Sequence, residues 1–469
     1  MIKTVLDSGN GAVIAPAGCG KTHLLTEILG QALPAPYLVL THTTAGVAAL
    51  KKRLTKLKIP TKNCVITTID GWCIKFANSF NNSCPIQSSV DVPGKFYPEL
   101  RKSVLSYLAS GAVNEIIIST YSRLLVDEYQ DCDFDQHNII CNLSNILRTT
   151  VFGDPMQRIF NFRGVKLPNW ETEVLVNFPL ICELNTPWRW ENAGTSDLGS
   201  WLLESRSQLA KGNKIDLTTC PNYIYWKSLT GDHRADHQQQ VDSQYEIRKN
   251  NNDSLLIIGN PYRAESRHSF ASSVNGVDVV ETVDLKDVIL LANILDNFKG
   301  ETCLEQFLTV ITTMMSGTEK AKLKQRAESI SNGRNRTPAS AIELAYIQML
   351  DSFCPEVANS LVLALEESEN TRVFRTSAFS AVKEVLQLKV SNPAYTYIQS
   401  AEVVRESRRH NGENRVPYRA IGSTLLLKGL ESDHVLIQNA DDMNSQNLYV
   451  ALSRGVKSIT VFSRSPIVG

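Results

Sequence analysis

The stretch Ala12-Val13-Ile14-Ala15-Pro16-Ala17-Gly18-Cys19-Gly20-Lys21-Thr22 decides the fold. Ala12–Ala15 reads as a buried strand, and His23–Gly30 beyond the glycines reads as a helix. Glycines at such a junction let backbone N–H groups approach phosphate oxygens, and the helix N-terminus adds positive potential. In that setting Lys21 would reach the β- and γ-phosphates of a nucleotide, and the Thr22 hydroxyl would ligate Mg²⁺. Ala15, Gly18, Cys19, Gly20, Lys21 and Thr22 form the expected nucleotide loop, with Cys19 filling a small-residue position rather than acting as a nucleophile. A strand–loop–helix unit of this kind specifies an NTP-binding α/β domain and leaves open what the nucleotide drives.

Working outward, Tyr37–Thr41, Val65–Thr68, Leu124–Val126 and Thr150–Phe152 are short apolar runs separated by amphipathic stretches. Strands alternating with helices predict a parallel sheet covered on both faces, with ligands gathered at the carboxyl ends of the strands. Leu124-Leu125-Val126 leads straight into Asp127-Glu128-Tyr129-Gln130-Asp131. A carboxylate at a strand end can hold Mg²⁺ and its neighbour can polarise a water, so Asp127 is assigned to the metal and Glu128 to the general base. An adjacent acid pair favours hydrolysis over transfer to a small molecule.

The 469 residues are 43% hydrophobic, enough for more than one core. Lys+Arg and Asp+Glu are both 48, so any basic surface must be local, as in a groove. Ten cysteines include no CxxC pair, no apolar leader follows Met1, and no run is long enough to span a membrane. A reduced, cytoplasmic protein with no membrane association is expected. The pattern loosens near 76–121, which reads as a small insertion within a first lobe covering 1–172. Strand character near Leu180, at Leu255–Gly259, at His434–Gln438 and at Ile459–Phe462 predicts a second lobe built from 173–280 and 415–469. Between them, 281–414 reads as an inserted, mainly helical domain, with helices at Leu285–Asn297, Cys303–Met315, Ala339–Leu350 and Ala381–Leu388.

Further runs follow in order: Leu40-Thr41-His42-Thr43-Thr44-Ala45, Gly153-Asp154-Pro155-Met156-Gln157-Arg158-Ile159-Phe160-Asn161-Phe162-Arg163-Gly164, Trp188-Arg189, Lys428-Gly429-Leu430-Glu431 and Leu448-Tyr449-Val450-Ala451-Leu452-Ser453-Arg454. Together with the phosphate loop and the acid pair, this series resembles the UvrD/Rep/PcrA-like group of superfamily 1 helicases. The resemblance implies two RecA-like P-loop lobes, ATP and Mg²⁺ as cofactors, and 3′-to-5′ movement on single-stranded DNA or a tailed duplex. It implies that Gln157 senses the γ-phosphate and that Arg189 and Arg454, from the second lobe, stabilise the transferring phosphoryl group. Trp188 would stack on the nucleobase and Glu431 would accept from the ribose. Phe160 and Phe162, beside Arg163, would stack on DNA bases, while Thr41, Thr43 and Thr67 or Thr68 would contact the DNA backbone. Lys51, Lys52 and Arg53 read equally as added groove charge or as a solvated helix face.

Three positions depart from that pattern. Residues 1–14 contain no Gln to read adenine, Asp70-Gly71 stands where a His is usual, and Leu425 replaces a second His. The compact size, the run Asp127-Glu128-Tyr129-Gln130-Asp131 and the Asp70-Gly71 variation resemble, more narrowly, the helicase-like subunit of the Gabija anti-phage system. That likeness implies an OLD-family Toprim nuclease as partner and a role in antiviral defence. The competing reading is a regulatory subunit in which ATP state or bound DNA switches a nuclease without robust unwinding. A small-molecule kinase or transport ATPase would leave the Phe160–Arg163 run and Arg454 without a role.

Overall fold

The computed structural model describes every residue except 91, 160–165, 249–252, 283–284 and 412–416. The chain divides into two compact units, one of Met1–Trp226, Ala440–Ile459 and Ser465–Gly469, the other of Lys227–Asn439 and Thr460–Arg464.

The first unit holds a six-stranded sheet of β1 (Gly11–Ile14), β2 (Tyr37–Thr41), β3 (Cys64–Thr68), β4 (Arg123–Val126), β5 (Thr149–Gly153) and β6 (Leu180–Glu183). The order is β3-β2-β4-β5-β1-β6, with parallel pairing throughout. Successive side chains point to opposite faces, and both faces are buried along β1, β2, β4 and β5. Ala12, Ile14, Leu38, Leu40, Leu124 and Val126 enter one core, while Val13, Tyr37, Val39, Leu125 and Phe152 enter the other. That double burial is why these strands read as unbroken apolar runs rather than alternating ones. Helices Ile69–Ser79, Pro93–Ala109 and Phe134–Ser144 cover the first face; Lys21–Leu29 and Thr44–Lys56 cover the second.

The stretch 76–121 is helical in large part, and its Phe96, Leu100, Val104 and Leu108 pack into the first core. The strand near Leu180 differs from expectation. Instead of opening a second lobe it is β6, paired with β1 through Ala12↔Leu180 and Ile14↔Glu183. Without it, β1 would end the sheet with an unpaired row of backbone donors and acceptors. A short strand β7 (Ile215–Asp216) pairs antiparallel with Ile467–Val468 near the end of the chain.

The second sheet draws on β8 (Ile224–Ser228), β9 (Leu255–Ile258) and β10 (Asp278–Val279). A helical excursion carrying the antiparallel pair β11 (Met315–Ser316) and β12 (Arg372–Val373) follows, and then come β13 (Arg419–Gly422), β14 (Ser432–Ile437) and β15 (Gly455–Ser463). The order is β10-β13-β9-β14-β15-β8 in six strands, and β9 runs parallel to both β13 and β14. Leu255, Ile257, Ile421 and Leu436 pack on Phe270 and Val274 beside them. The excursion has its own core, in which Phe307, Leu361, Phe379 and Leu386 are buried among helices Gly300–Ile311, Pro355–Glu367 and Thr376–Ser391. Two helix-flanked sheets of this kind give the expected α/β class with two RecA-like lobes. No described helix is long and apolar enough to cross a membrane.

Candidate active site

The carboxyl ends of β1, β4 and β5 supply the phosphate loop, the acid pair and Asp154 in turn. Gly18 and Gly20 adopt φ of +72° and +89°, values that side-chain-bearing residues rarely hold. A Cβ on Gly18 would also lie 2.6 Å from Trp190 Cζ3 and 3.0 Å from Arg189 Cβ, and one on Gly20 would lie 3.2 Å from Trp188 Cδ1. The glycines therefore serve the turn and the close approach of helix Trp188–Ala193 at once. Pairing of β6 with β1 delivers that helix to the loop. The Arg189 backbone N–H donates to the Gly18 carbonyl at 3.2 Å, and buried Trp190 donates from Nε1 to the Gly455 carbonyl at 2.8 Å. Trp188 keeps 51% of its surface exposed.

Lys21 opens helix Lys21–Leu29, and its ammonium meets both members of the acid pair: Asp127 Oδ1 at 2.8 Å and Glu128 Oε1. Burial works against the lysine's charge, but the Asp127 and Glu128 carboxylates outweigh it and hold Lys21 protonated above the ordinary lysine range. Burial pushes the Asp127 carboxyl up, while Lys21 pulls it back. Glu128 sits at φ +55°, a left-handed conformation that is strained for a residue with a side chain. Strain of this kind concentrates where a side chain must be aimed, here toward Lys21.

A hydrogen-bonded chain continues from Glu128. Gln130 donates from Nε2 to Glu128 Oε2 at 2.5 Å, and its Oε1 accepts the Asp154 backbone N–H at 3.2 Å. Gln157 donates from Nε2 to Asp154 Oδ2 at 3.1 Å. Buried Asp154 is also gripped by Arg206, whose Nε and Nη2 reach Oδ1 at 3.0 and 2.9 Å. A path of polar contacts thus runs from the loop lysine to the expected γ-phosphate sensor.

Arg189 and Arg454, expected from the second lobe, instead fall in the same compact unit as Lys21, because β6 joins the first sheet and brings the helix carrying Arg189 with it. Arg189 donates from Nη1 to the Ser453 carbonyl at 2.8 Å, and its guanidinium lies over the Trp190 ring at 5.3 Å. Arg454 is buried and donates to the Val450 carbonyl and to Ser453 Oγ at 2.9 and 2.7 Å. The helix Ser445–Leu452 just before it reaches the loop directly: buried Tyr449 accepts the Ala17 backbone N–H through its hydroxyl at 3.0 Å. Burial drives that phenol well above its usual range, so it stays neutral.

Of the expected strand-contacting groups, Thr43 and Thr68 cap helices Thr44–Lys56 and Ile69–Ser79, accepting from Gly46 N–H at 3.1 Å and Gly71 N–H at 2.9 Å. A Cβ on Gly71 would come within 2.8 Å of the Thr67 and Thr68 hydroxyl oxygens, which accounts for glycine there. Thr41 is buried, and its hydroxyl finds no partner among the described residues. Asp70 has a structural job: Arg101 donates to it from Nε and Nη2 at 2.7 Å and to Asp133 at 2.5 Å. Lys51, Lys52 and Arg53 are exposed on their helix. Phe160, Phe162 and Arg163 lie outside the described residues. Glu431 and Leu425 belong to the other unit, where Leu425 is half-buried and Glu431 exposed.

Sequence reading missed Arg101 and Arg206, and quoted Gln130 and Tyr449 without a role. Gln130 stood beside the acid pair and was the most findable. Arg206 carries no local signal, because its partners lie 23 and 52 residues away in the chain.

The residues present fit a nucleotide with Mg²⁺. Left-handed glycines and a helix N-terminus would suit an anion, while the Thr22 hydroxyl and Asp127 carboxylate are the kind of oxygen donors that this hard cation prefers. Among the described residues no three His, Cys, Asp or Glu side chains gather as a closed metal cage. The cation's remaining ligands would be phosphate oxygens and water.

Residues 97–173, which include the acid pair, Asp154 and Gln157, match the family model described as UvrD/REP helicase N-terminal domain. The Gabija protein GajB of Bacillus cereus (strain VD045) is 40% identical over 58 residues, 12% of this chain and 12% of that protein. The RecBCD enzyme subunit RecB of Buchnera aphidicola subsp. Schizaphis graminum (strain Sg) is 23% identical over 149 residues, 31% of this chain and 11% of that protein. The matches thus span about an eighth or less of either relative's length. A solved complex of the Arterivirus nonstructural protein 10 (helicase) with DNA aligns over 98% of this chain and 62% of its own, at 8% identity and a TM-score of 0.35. The chain's likeness to UvrD-like superfamily 1 helicases rests on the family match and the two relatives.

Proposed function

We propose that the chain is an ATP-driven motor on single-stranded DNA, a translocase or helicase of the UvrD-like kind with 3′-to-5′ polarity. The observation that carries this reading is the Lys21 ammonium clasped by Asp127 and Glu128, at the same strand ends that hold Gln157 through Asp154. In the resting site the carboxylates neutralise Lys21. Phosphate oxygens arriving in the loop take over the lysine's charge and free Glu128 to accept a proton from the attacking water. Thr22 and Asp127 would hold Mg²⁺, which would supply neutralisation of the charge on the phosphate groups. Arg189, held against the loop by its own backbone N–H, and Arg454 are the side chains that would meet charge developing on the transferring group. Trp188 offers its exposed ring to the nucleobase, and Glu431 is assigned to the ribose. Thr41, Thr43 and Thr68 at the ends of β2 and β3, with Phe160, Phe162 and Arg163, are assigned to the strand, where base stacking contributes about 1–3 kcal/mol per base.

The GajB match favours a second reading: a subunit of an anti-phage complex that senses ATP and DNA and switches a nuclease of the OLD-family Toprim type. The engagement of Asp70 by Arg101 supports it, since a carboxylate locked into an ion pair replaces a groove histidine. Strand displacement on 3′-tailed and 5′-tailed duplexes separates the two. ATP-dependent unwinding of the 3′-tailed substrate alone is the expected result. No unwinding of either, with ATP turnover intact, would overturn the helicase reading in favour of the sensor.

A further inference from the structure

Arg206 sits on helix Ser196–Ala210, outside every motif that pointed to the site. Its side chain is 11% exposed, and among the described residues its hydrogen bonds go only to carboxylates. Nε and Nη2 converge on one oxygen of Asp154, Oδ1, at 3.0 and 2.9 Å, and Nη1 reaches Glu183 Oε1, on the last residue of β6, at 2.9 Å. The Met156 backbone N–H also donates to Asp154 Oδ1, at 3.1 Å. The second oxygen, Oδ2, accepts from Gln157 Nε2. Asp154 is 1% exposed, so an ionised carboxylate there is tolerable only with its lone pairs met by donors.

We propose that Arg206 is a positioning residue for the γ-phosphate response, acting on Gln157 through Asp154. With Oδ1 saturated by the guanidinium and the Met156 N–H, the carboxylate cannot rotate, and Oδ2 is left to fix the Gln157 amide. The other end of the guanidinium ties the same assembly to β6, the strand that leads into Trp188 and Arg189. A lysine could supply only a point charge to this corner, whereas the planar fork serves two carboxylates at set angles. Sensor and loop-packing helix are thereby held to a single frame. The inference rests on the proposed role of Gln157.

The test is a double-mutant cycle on the full chain, measuring ATP turnover with and without an oligo-dT single strand for wild type, Arg206→Gln, Gln157→Ala and the double variant, with Arg206→Lys alongside. Arg206→Gln should lower DNA-stimulated kcat about tenfold with KM for ATP shifting less than about threefold, and Arg206→Lys should fall between. In the Gln157→Ala background, Arg206→Gln should cost no more than about a further twofold, because its target is already gone. Losses that multiply in the double variant would overturn the inference, since a merely structural arginine acts independently of Gln157. If Arg206→Gln does not fold, Glu183→Gln loosens the same guanidinium and runs through the same cycle. A wild type without DNA stimulation would sink the motor reading, yet the cycle on basal kcat would still decide whether Arg206 acts through Gln157.

Discussion

Tyr449→Phe removes one oxygen from the molecule and tests how the last helix of the site holds the phosphate loop. The hydroxyl accepts the Ala17 N–H at 3.0 Å, with Tyr449 1% and Ala17 7% exposed, so water cannot readily take its place. The phenyl ring fills the same space, which leaves the cavity contribution near zero. What remains is a buried N–H stripped of its acceptor, at about 1–3 kcal/mol. For a lobe of this size that corresponds to roughly 2–4 °C in Tm per kcal/mol. The same loop carries Gly18, Gly20 and Lys21, so its loosening should raise KM for ATP by up to about tenfold, the equivalent of about 1.4 kcal/mol. Thermal melts read by intrinsic fluorescence, with and without nucleotide, and steady-state ATPase assays report both quantities. A variant with the Tm and the KM of wild type would refute the reasoning, because the loop would then owe nothing to that hydroxyl.

Lys21→Ala and Glu128→Gln should each reduce ATP turnover by about 10² or more, the first by removing the charge proposed to meet phosphate and the second by removing the proposed base; turnover within threefold of wild type would mean that the site lies elsewhere. Arg101→Met removes the guanidinium shared by Asp70 and Asp133, leaving them, among the described residues, only their Gln136 donors, and should lower the stability of the first unit by about 1–3 kcal/mol in urea denaturation; an unchanged midpoint would show that the ion pairs contribute nothing. His268, in the second unit, is lowered from 6.5 to about 4 by burial and then by the Arg375 and Arg267 guanidiniums, against the smaller opposite pull of Asp287 and Glu265. The unfolded chain therefore takes up that proton first as pH falls, so this contribution is whole above about pH 6.5 and drains away toward about pH 4. His268→Asn should flatten the decline in Tm across that window, and an identical slope in the variant would contradict the assignment.

Much of the first lobe was legible because both faces of its strands are buried. Val13 and Ile14, or Leu124 and Leu125, face opposite cores, and the outcome is a run of apolar residues that any window detects. The phosphate loop and the acid pair were legible for a different reason: their chemistry is local, carried by glycines, Lys21 and two adjacent acids within a few residues. What escaped was long-range. β6 reads as the start of something new, yet its partner is β1, more than 160 residues earlier. Arg101 and Arg206 look like ordinary helix-surface arginines until Asp70, Asp133 and Asp154 are brought to them. Thr43 and Thr68 read as contacts to the DNA backbone, and each also caps the helix that follows it, a role written three residues ahead in Gly46 and Gly71.

The most direct test of the account is the rate of ATP hydrolysis by the whole chain with and without single-stranded DNA, repeated for Glu128→Gln. A motor with its catalytic carboxylate at Glu128 predicts a clear rise in kcat on adding the strand and loss of both basal and stimulated turnover in the variant. Equal rates with and without DNA, or a variant that hydrolyses ATP as wild type does, would contradict it.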